Sequence, residues 1–199
     1  KNLDYLRYLE KFINLNEIDQ LFDFGSGTGC LGYLIKTNYK EIEINSAESD
    51  DYSKKILKER SYTNYENIND INKKFDLIIS LHSIEHLTDL SIFNDFRNLA
   101  KKDSYIFLEV PNCEFNSSFK SRPYDSPHLM FFTKESLQKI AQKFSLEILN
   151  MSYSSIPLEE NFQNMREAKK KYENWKKGEI KYVLKSLMRK TLKKIGIFR

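Results

Sequence analysis

Leu21-Phe22-Asp23-Phe24-Gly25-Ser26-Gly27-Thr28-Gly29 is a short apolar run closed by three glycines at alternate positions. The run has the length of a buried strand, and Leu31–Lys36 behind it has helical character. Glycine lets the backbone take positive φ and lets a ligand press against the main chain. A helix starting just behind such a turn presents unpaired N–H groups to polar ligand atoms. Strand, turn and helix together make the unit with which a doubly wound sheet grips a nucleotide-like cofactor.

Strands and helices alternate on both sides of this turn. Leu3–Asn14 spaces Leu3, Leu6 and Leu9, or Tyr5, Tyr8 and Phe12, along one face of a leading helix. Glu41–Asn45 alternates Ile42 and Ile44 as a second strand, and Tyr52–Arg60 predicts a helix capped by Ser49 or Asp50. Tyr62–Glu66 predicts a third strand. Phe75–Ser80 has the continuous apolar centre of a strand covered on both faces. A helix over Leu90–Ala100, a strand over Tyr105–Val110, a capped helix over Thr133–Phe144 and a strand over Leu146–Leu149 complete the series. The alternation predicts an α/β fold with a Rossmann-like, doubly wound, mostly parallel sheet. Lys101-Lys102-Asp103-Ser104 reads as a surface turn, and Met151–Ser155 is the candidate for a seventh strand.

The 199 residues suit one domain with a real core. Net charge is +4, but residues 160–199 hold thirteen Lys/Arg against four Glu, so residues 1–159 are net acidic. An acidic body without a basic aromatic face argues against nucleic acid as partner. The division expected is a main domain over 1–159 and a basic extension over 160–199. Within the extension, Ile180, Val183, Leu184, Leu187, Met188, Leu192 and Ile195 share one face of a helix, and lysines and arginines fill most of the rest. Such a basic amphipathic helix over 180–195 packs on its own domain or a partner, or lies on the inner face of a membrane. Two cysteines, Cys30 and Cys113, make no disulfide framework, and no run reaches the roughly 20 apolar residues of a membrane span. A cytoplasmic location is expected.

The second strand runs into Ser46-Ala47-Glu48-Ser49-Asp50-Asp51, which places Glu48 25 residues after Asp23. A carboxylate there accepts hydrogen bonds from both hydroxyls of a ribose. Glu48 is the first choice and Asp50 the second, against the alternative that these acids cap the helix behind them. Dinucleotide binders carry Gly-x-Gly-x-x-Gly, whereas this chain carries Gly25-x-Gly27-x-Gly29 behind an acid, Asp23. An anion at that place suits a cationic cofactor, and S-adenosylmethionine has both a sulfonium and an ammonium.

Asp23-Phe24-Gly25-Ser26-Gly27-Thr28-Gly29 resembles motif I of the class I S-adenosylmethionine-dependent methyltransferases. Phe75–Leu87, ending in Glu85-His86-Leu87, is similar to their fourth-strand motif in one subgroup, and Phe107-Leu108-Glu109-Val110-Pro111-Asn112 to that subgroup's fifth strand. His128-Leu129-Met130-Phe131-Phe132-Thr133 resembles the loop and helix start that follow. The resemblance implies methyl transfer from S-adenosylmethionine. It also implies a cofactor site of Asp23, Phe24, Gly25, Ser26, Gly27, Gly29, Glu48, Ser49, Ser80, Leu81 and His82. A non-catalytic module that binds the cofactor without turnover is the rival reading.

All three histidines fall in loops expected to line this site. Imidazole is the side chain best matched to base catalysis at neutral pH. His128 is the first candidate for the base and His82 the second, while His86 orients the following helix. His82-x-x-Glu85-His86 also spells an inverted zinc-protease signature, which needs an established helix where this chain places a strand end. The same positions resemble a divalent-metal motif of quinone-pathway methyltransferases, with His82, Glu85 and His86 as ligands. Asn112–Met130 mixes Phe115, Phe119, Arg122 and Tyr124 with polar residues, which suits a sugar or other polar acceptor in bacterial glycan methylation.

Overall fold

The computed structural model describes residues 1–39, 41–113, 128–153, 179–186 and 197–198. Helix α1 (Asn2–Leu9) leads into β1 (Gln20–Phe24), α2 (Cys30–Asn38), β2 (Glu43–Ala47), α3 (Asp51–Glu59) and β3 (Thr63–Asn64). Then come β4 (Phe75–Leu81), α4 (Ile92–Leu99), β5 (Ala100–Pro111), α5 (Lys134–Lys143) and β6 (Leu146–Tyr153), with β7 (Glu179–Ser186) and β8 (Ile197–Phe198) last. One sheet takes these strands in the order β3-β2-β1-β4-β5-β7-β6-β8. The first five in that order run parallel, and β7 lies antiparallel to both β5 and β6.

Alternation along the strands divides the core in two. Leu21, Leu77, Ile79 and Phe107 point to the face covered by Tyr5, Leu6 and Leu9 of α1, Leu31 and Ile35 of α2 and Leu57 of α3. Their neighbours Phe22, Ile78, Ile106 and Leu108 point the other way, onto Phe93 and Phe96 of α4 and Leu137 and Ile140 of α5. A sheet buried on both faces explains why β4 reads as an unbroken apolar run. On α1 the buried stripe is Tyr5, Leu6, Tyr8 and Leu9, whereas Leu3 is 49% exposed. Asp50 caps α3 by accepting from the Ser53 amide at 2.8 Å. Thr133 and Ser136 form a reciprocal capping box at α5.

Three expectations are corrected. Residues 180–186 form part of β7, hydrogen-bonded between β5 and β6, and not the first half of an amphipathic helix. Backbone pairing on both sides outweighs the helical spacing of the apolar residues. Residues 187–195 lie outside the described residues, so membrane contact through a continuous 180–195 helix loses its basis in the first half. The seventh strand is therefore 179–186, and Met151–Tyr153 continue β6. Lys101–Ser104 belong to β5 and not to a surface turn. Asp103 takes φ 61, and pairing with β4 jumps from Phe75↔Ala100 to Leu77↔Tyr105, so the polar residues are absorbed in a bulge. Among the described residues no helix is long and apolar enough to cross a membrane.

Candidate functional site

The glycine turn sits at the carboxyl end of β1, between the ends of β2 and β4. Gly25, Gly27 and Gly29 take φ of 63, 53 and 69, the left-handed region where a side chain is strained. The Gly25 amide donates to the Ala47 carbonyl at 2.9 Å, which ties the turn to the end of β2. The Ser83 hydroxyl donates to the Gly25 carbonyl at 3.1 Å, tying it to the segment behind β4. A Cβ on Gly25 would strike Ser83, but a Cβ on Gly27 would meet nothing within 4 Å. The turn is therefore braced from below and open over Gly27. Gly29 caps α2 without a side-chain hydrogen bond, so the first amides of that helix have no side-chain cap.

Two acids flank the turn. Glu48 Oε2 accepts from the Gly27 amide at 2.7 Å, and Oε1 accepts from the Ser49 and Asp50 amides at 2.8 and 2.9 Å. A carboxylate has about four acceptor positions, so Glu48 braces the turn and keeps one for a ligand hydroxyl. Asp50 spends its side chain on the α3 cap, the role weighed as the alternative for these acids. Asp23 is buried beneath the turn, and its carboxyl is pushed up to about 7, by burial first and then by the charge of Glu48. Tyr62 lies beside it and draws it partly back. The Tyr62 hydroxyl also donates to the Gly29 carbonyl at 2.7 Å.

The ends of β4 and β5 carry the remaining chemistry. His82 leaves β4 in the left-handed region, φ 54, with its amide donating to the Glu109 carbonyl at 2.9 Å. That bend turns its ring back over β5. His82 Nε2 lies 3.0 Å from Glu109 Oε1, and Nδ1 lies 3.5 Å from Glu85 Oε1. The Tyr5 hydroxyl of α1 donates to the same Glu109 oxygen at 2.5 Å, and Lys1 Nζ lies 3.3 Å from it. Glu85 and Glu109 are both fully buried. The amides of Leu129 and Met130 donate to the Glu85 carbonyl at 2.8 and 2.9 Å. The Cys113 amide donates to the Phe132 carbonyl at 2.9 Å. These bonds bring His128 against His86, ring centroids 5.0 Å apart.

A family model described as "Methyltransferase domain" matches residues 3–150, about three quarters of the chain. The chain belongs to the class I S-adenosylmethionine-dependent methyltransferases. Among solved structures, the methyltransferase is similar to a putative S-adenosylmethionine-dependent methyltransferase from Listeria monocytogenes, with TM-score 0.68 and 10% identity. That match covers 94% of this chain and 99% of the other. A SAM-dependent methyltransferase from Archaeoglobus fulgidus gives TM-score 0.61 at 17% identity, over 94% and 95% of the two chains. Phosphoethanolamine N-methyltransferase 2 from Haemonchus contortus gives TM-score 0.68 at 14% identity, over 92% of this chain and 52% of that one. No curated protein sequence matches. S-adenosylmethionine is the cofactor of the methyltransferase, and the open space over Gly27 with a spare acceptor position on Glu48 fits it.

Most of the residues expected at the cofactor site converge. Asp23, Phe24, Gly25, Ser26, Gly27 and Gly29 make the turn, and Glu48, just behind β2, bonds it through the Gly27 amide while the Ser49 amide donates to the same carboxylate. Ser80 is buried within β4, with no hydrogen-bond partner for its hydroxyl among the described residues; Leu81 ends that strand and His82 follows it. The proposed metal trio of His82, Glu85 and His86 does not form. His82 turns to Glu109, and His128 takes its place beside Glu85 and His86. The zinc-protease reading fails on the backbone, because Ile84–His86 is a single 3-10 turn and not an established helix. Sequence reasoning gave no role to Glu109. An acid inside the apolar run Ile106–Val110 was the available signal.

Proposed function

We propose that this methyltransferase methylates a hydroxyl of a small polar acceptor, a sugar or glycan intermediate in bacterial glycan biosynthesis. The observation that carries this reading is the cluster of His82, His86, His128, Glu85 and Glu109 at the ends of β4 and β5. A hydroxyl is a poor nucleophile until a base takes its proton, so an oxygen acceptor asks for such groups. The aromatic and polar residues of Asn112–Met130 suit the faces and hydroxyls of a sugar.

When bound, S-adenosylmethionine supplies an activated methyl on a sulfonium sulfur. The glycine turn would hold its amino-acid part, the remaining acceptor position of Glu48 would take one hydroxyl of the ribose, and the Ser80–His82 segment would border the transferred group. His82 is the base. Its ring stands between Glu109, 3.0 Å from Nε2, and Glu85, 3.5 Å from Nδ1, so two carboxylates flank the imidazolium formed when it takes the acceptor's proton. His128, the other candidate, lies against His86. Transfer would exchange the sulfur–carbon bond for an oxygen–carbon bond with dispersal of the positive charge, so the contribution of the residues around the site would be alignment and exclusion of water.

Calorimetry with S-adenosylmethionine and S-adenosylhomocysteine, followed by a screen of nucleotide sugars and glycans, tests the reading. His82→Ala should lower kcat by roughly 100-fold or more while cofactor affinity stays within about twofold. Undiminished turnover removes His82 from the role. A methyl product on nitrogen or carbon overturns the hydroxyl assignment.

A further inference from the structure

We propose that Glu85, His86 and His128 form a binding site for a divalent first-row transition-metal ion. Each offers one ligand atom, and the three atoms lie within 4.8 Å of one another. Glu85 supplies a second and independent indication. Its side chain is completely buried, and neither carboxylate oxygen accepts a hydrogen bond among the described residues. The nearest positive partner is His82 Nδ1 at 3.5 Å, which is cationic only when protonated. A buried carboxylate that accepts no hydrogen bond is costly, and a cation bound against it removes that cost.

The backbone holds the donors ready. Glu85 and His86 share the 3-10 turn Ile84–His86, and the segment carrying His128 is fixed by the Leu129 and Met130 amides on the Glu85 carbonyl. Zinc ligands stand about 2.0–2.2 Å from the ion, hence roughly 3.4 Å from one another in a tetrahedron. Side-chain rotations of about an ångström therefore close the trio around an ion, without movement of the sheet. Two imidazoles and a carboxylate suit zinc, manganese, iron or cobalt, whereas magnesium and calcium prefer oxygen alone. Three protein ligands leave a position for water or for an acceptor oxygen, a hydroxyl of the sugar-like substrate included. Ion binding at this trio does not depend on which residue takes the acceptor's proton.

The test uses the full chain, stripped with a chelator and titrated with zinc or manganese chloride alone. One ion per chain is expected, and cobalt should give the absorption of a nitrogen- and oxygen-ligated site. His86→Ala and His128→Ala should each weaken zinc binding at least tenfold and abolish the cobalt spectrum, while S-adenosylmethionine still binds and so reports an intact fold. Glu85→Gln should do the same; because that side chain is buried, His128→Ala decides if the Gln variant does not fold. His82→Ala should retain the ion, so loss of turnover there and loss of metal at the trio are separable. A wild-type chain that binds no ion overturns the proposal, as does unaltered affinity in both histidine variants.

Discussion

Asp23 is the residue at which burial and charge are most opposed. Its carboxyl is held at about 7 in the folded protein, against 3.8 for the ordinary group, by burial first and Glu48 second. The folded chain thus keeps a proton that the unfolded chain releases, and the stability tied to Asp23 is present in full below pH 4. It declines as pH rises towards 7 and is gone above it. Over that range the loss is on the order of 4 kcal/mol relative to Asp23→Asn, which is neutral throughout. Urea unfolding of both proteins at a series of pH values measures this, and parallel curves would refute it. The glycines make a second residue-scale prediction. Gly27→Ala strains a φ of 53 by roughly 1–2 kcal/mol, but its methyl enters open space, so the fold should survive while S-adenosylmethionine affinity falls at least tenfold. Gly32→Ala instead drives a methyl into the Tyr62 hydroxyl and Ile44, and should cost stability by about 1–3 kcal/mol through overpacking. Melting temperatures and calorimetry on the two variants separate the effects; normal cofactor binding by Gly27→Ala would mean that the space over Gly27 is not the cradle.

At the scale of elements, β7 carries the most specific expectation. It is hydrogen-bonded to β5 from Tyr105 to Pro111 and to β6 from Leu146 to Tyr153, so its removal leaves two strands with bare edges. A chain ending at residue 178 should therefore unfold at lower urea than one ending at 186 and should aggregate; equal stability of the two would place 179–186 outside the sheet. This strand is also where the sequence was least legible. Ile180, Val183, Leu184 and Leu187 follow a helical period, and the partners that make the stretch a strand lie some thirty to eighty residues earlier. β1 and β4 were readable because burial on both faces writes a continuous apolar run into the chain itself. The site divides in the same manner. The glycine turn is a local demand on φ and is visible in nine residues, whereas the His82–Glu109–Tyr5 contact joins three elements that only the fold brings together.

On the scale of the whole molecule, the parallel strands deliver their carboxyl ends to one rim. The glycine turn, Glu48, His82 and the Glu85–His86–His128 trio all meet there, with α1 reaching in through Tyr5. The chain leaves that rim at Cys113, whose amide bonds the Phe132 carbonyl, and returns by Leu129 and Met130 on the Glu85 carbonyl. The two ends of the intervening stretch are thus held to each other and to the turn behind β4 by bonds that lie outside that stretch. Lengthening a stretch whose ends are already fixed costs little, since closure entropy grows only with the logarithm of length. The interior can be exchanged, by selection or by grafting, as a cassette. On the acceptor role proposed for Asn112–Met130, such an exchange would change the molecule modified while every strand, and the grip on the methyl donor, is inherited intact.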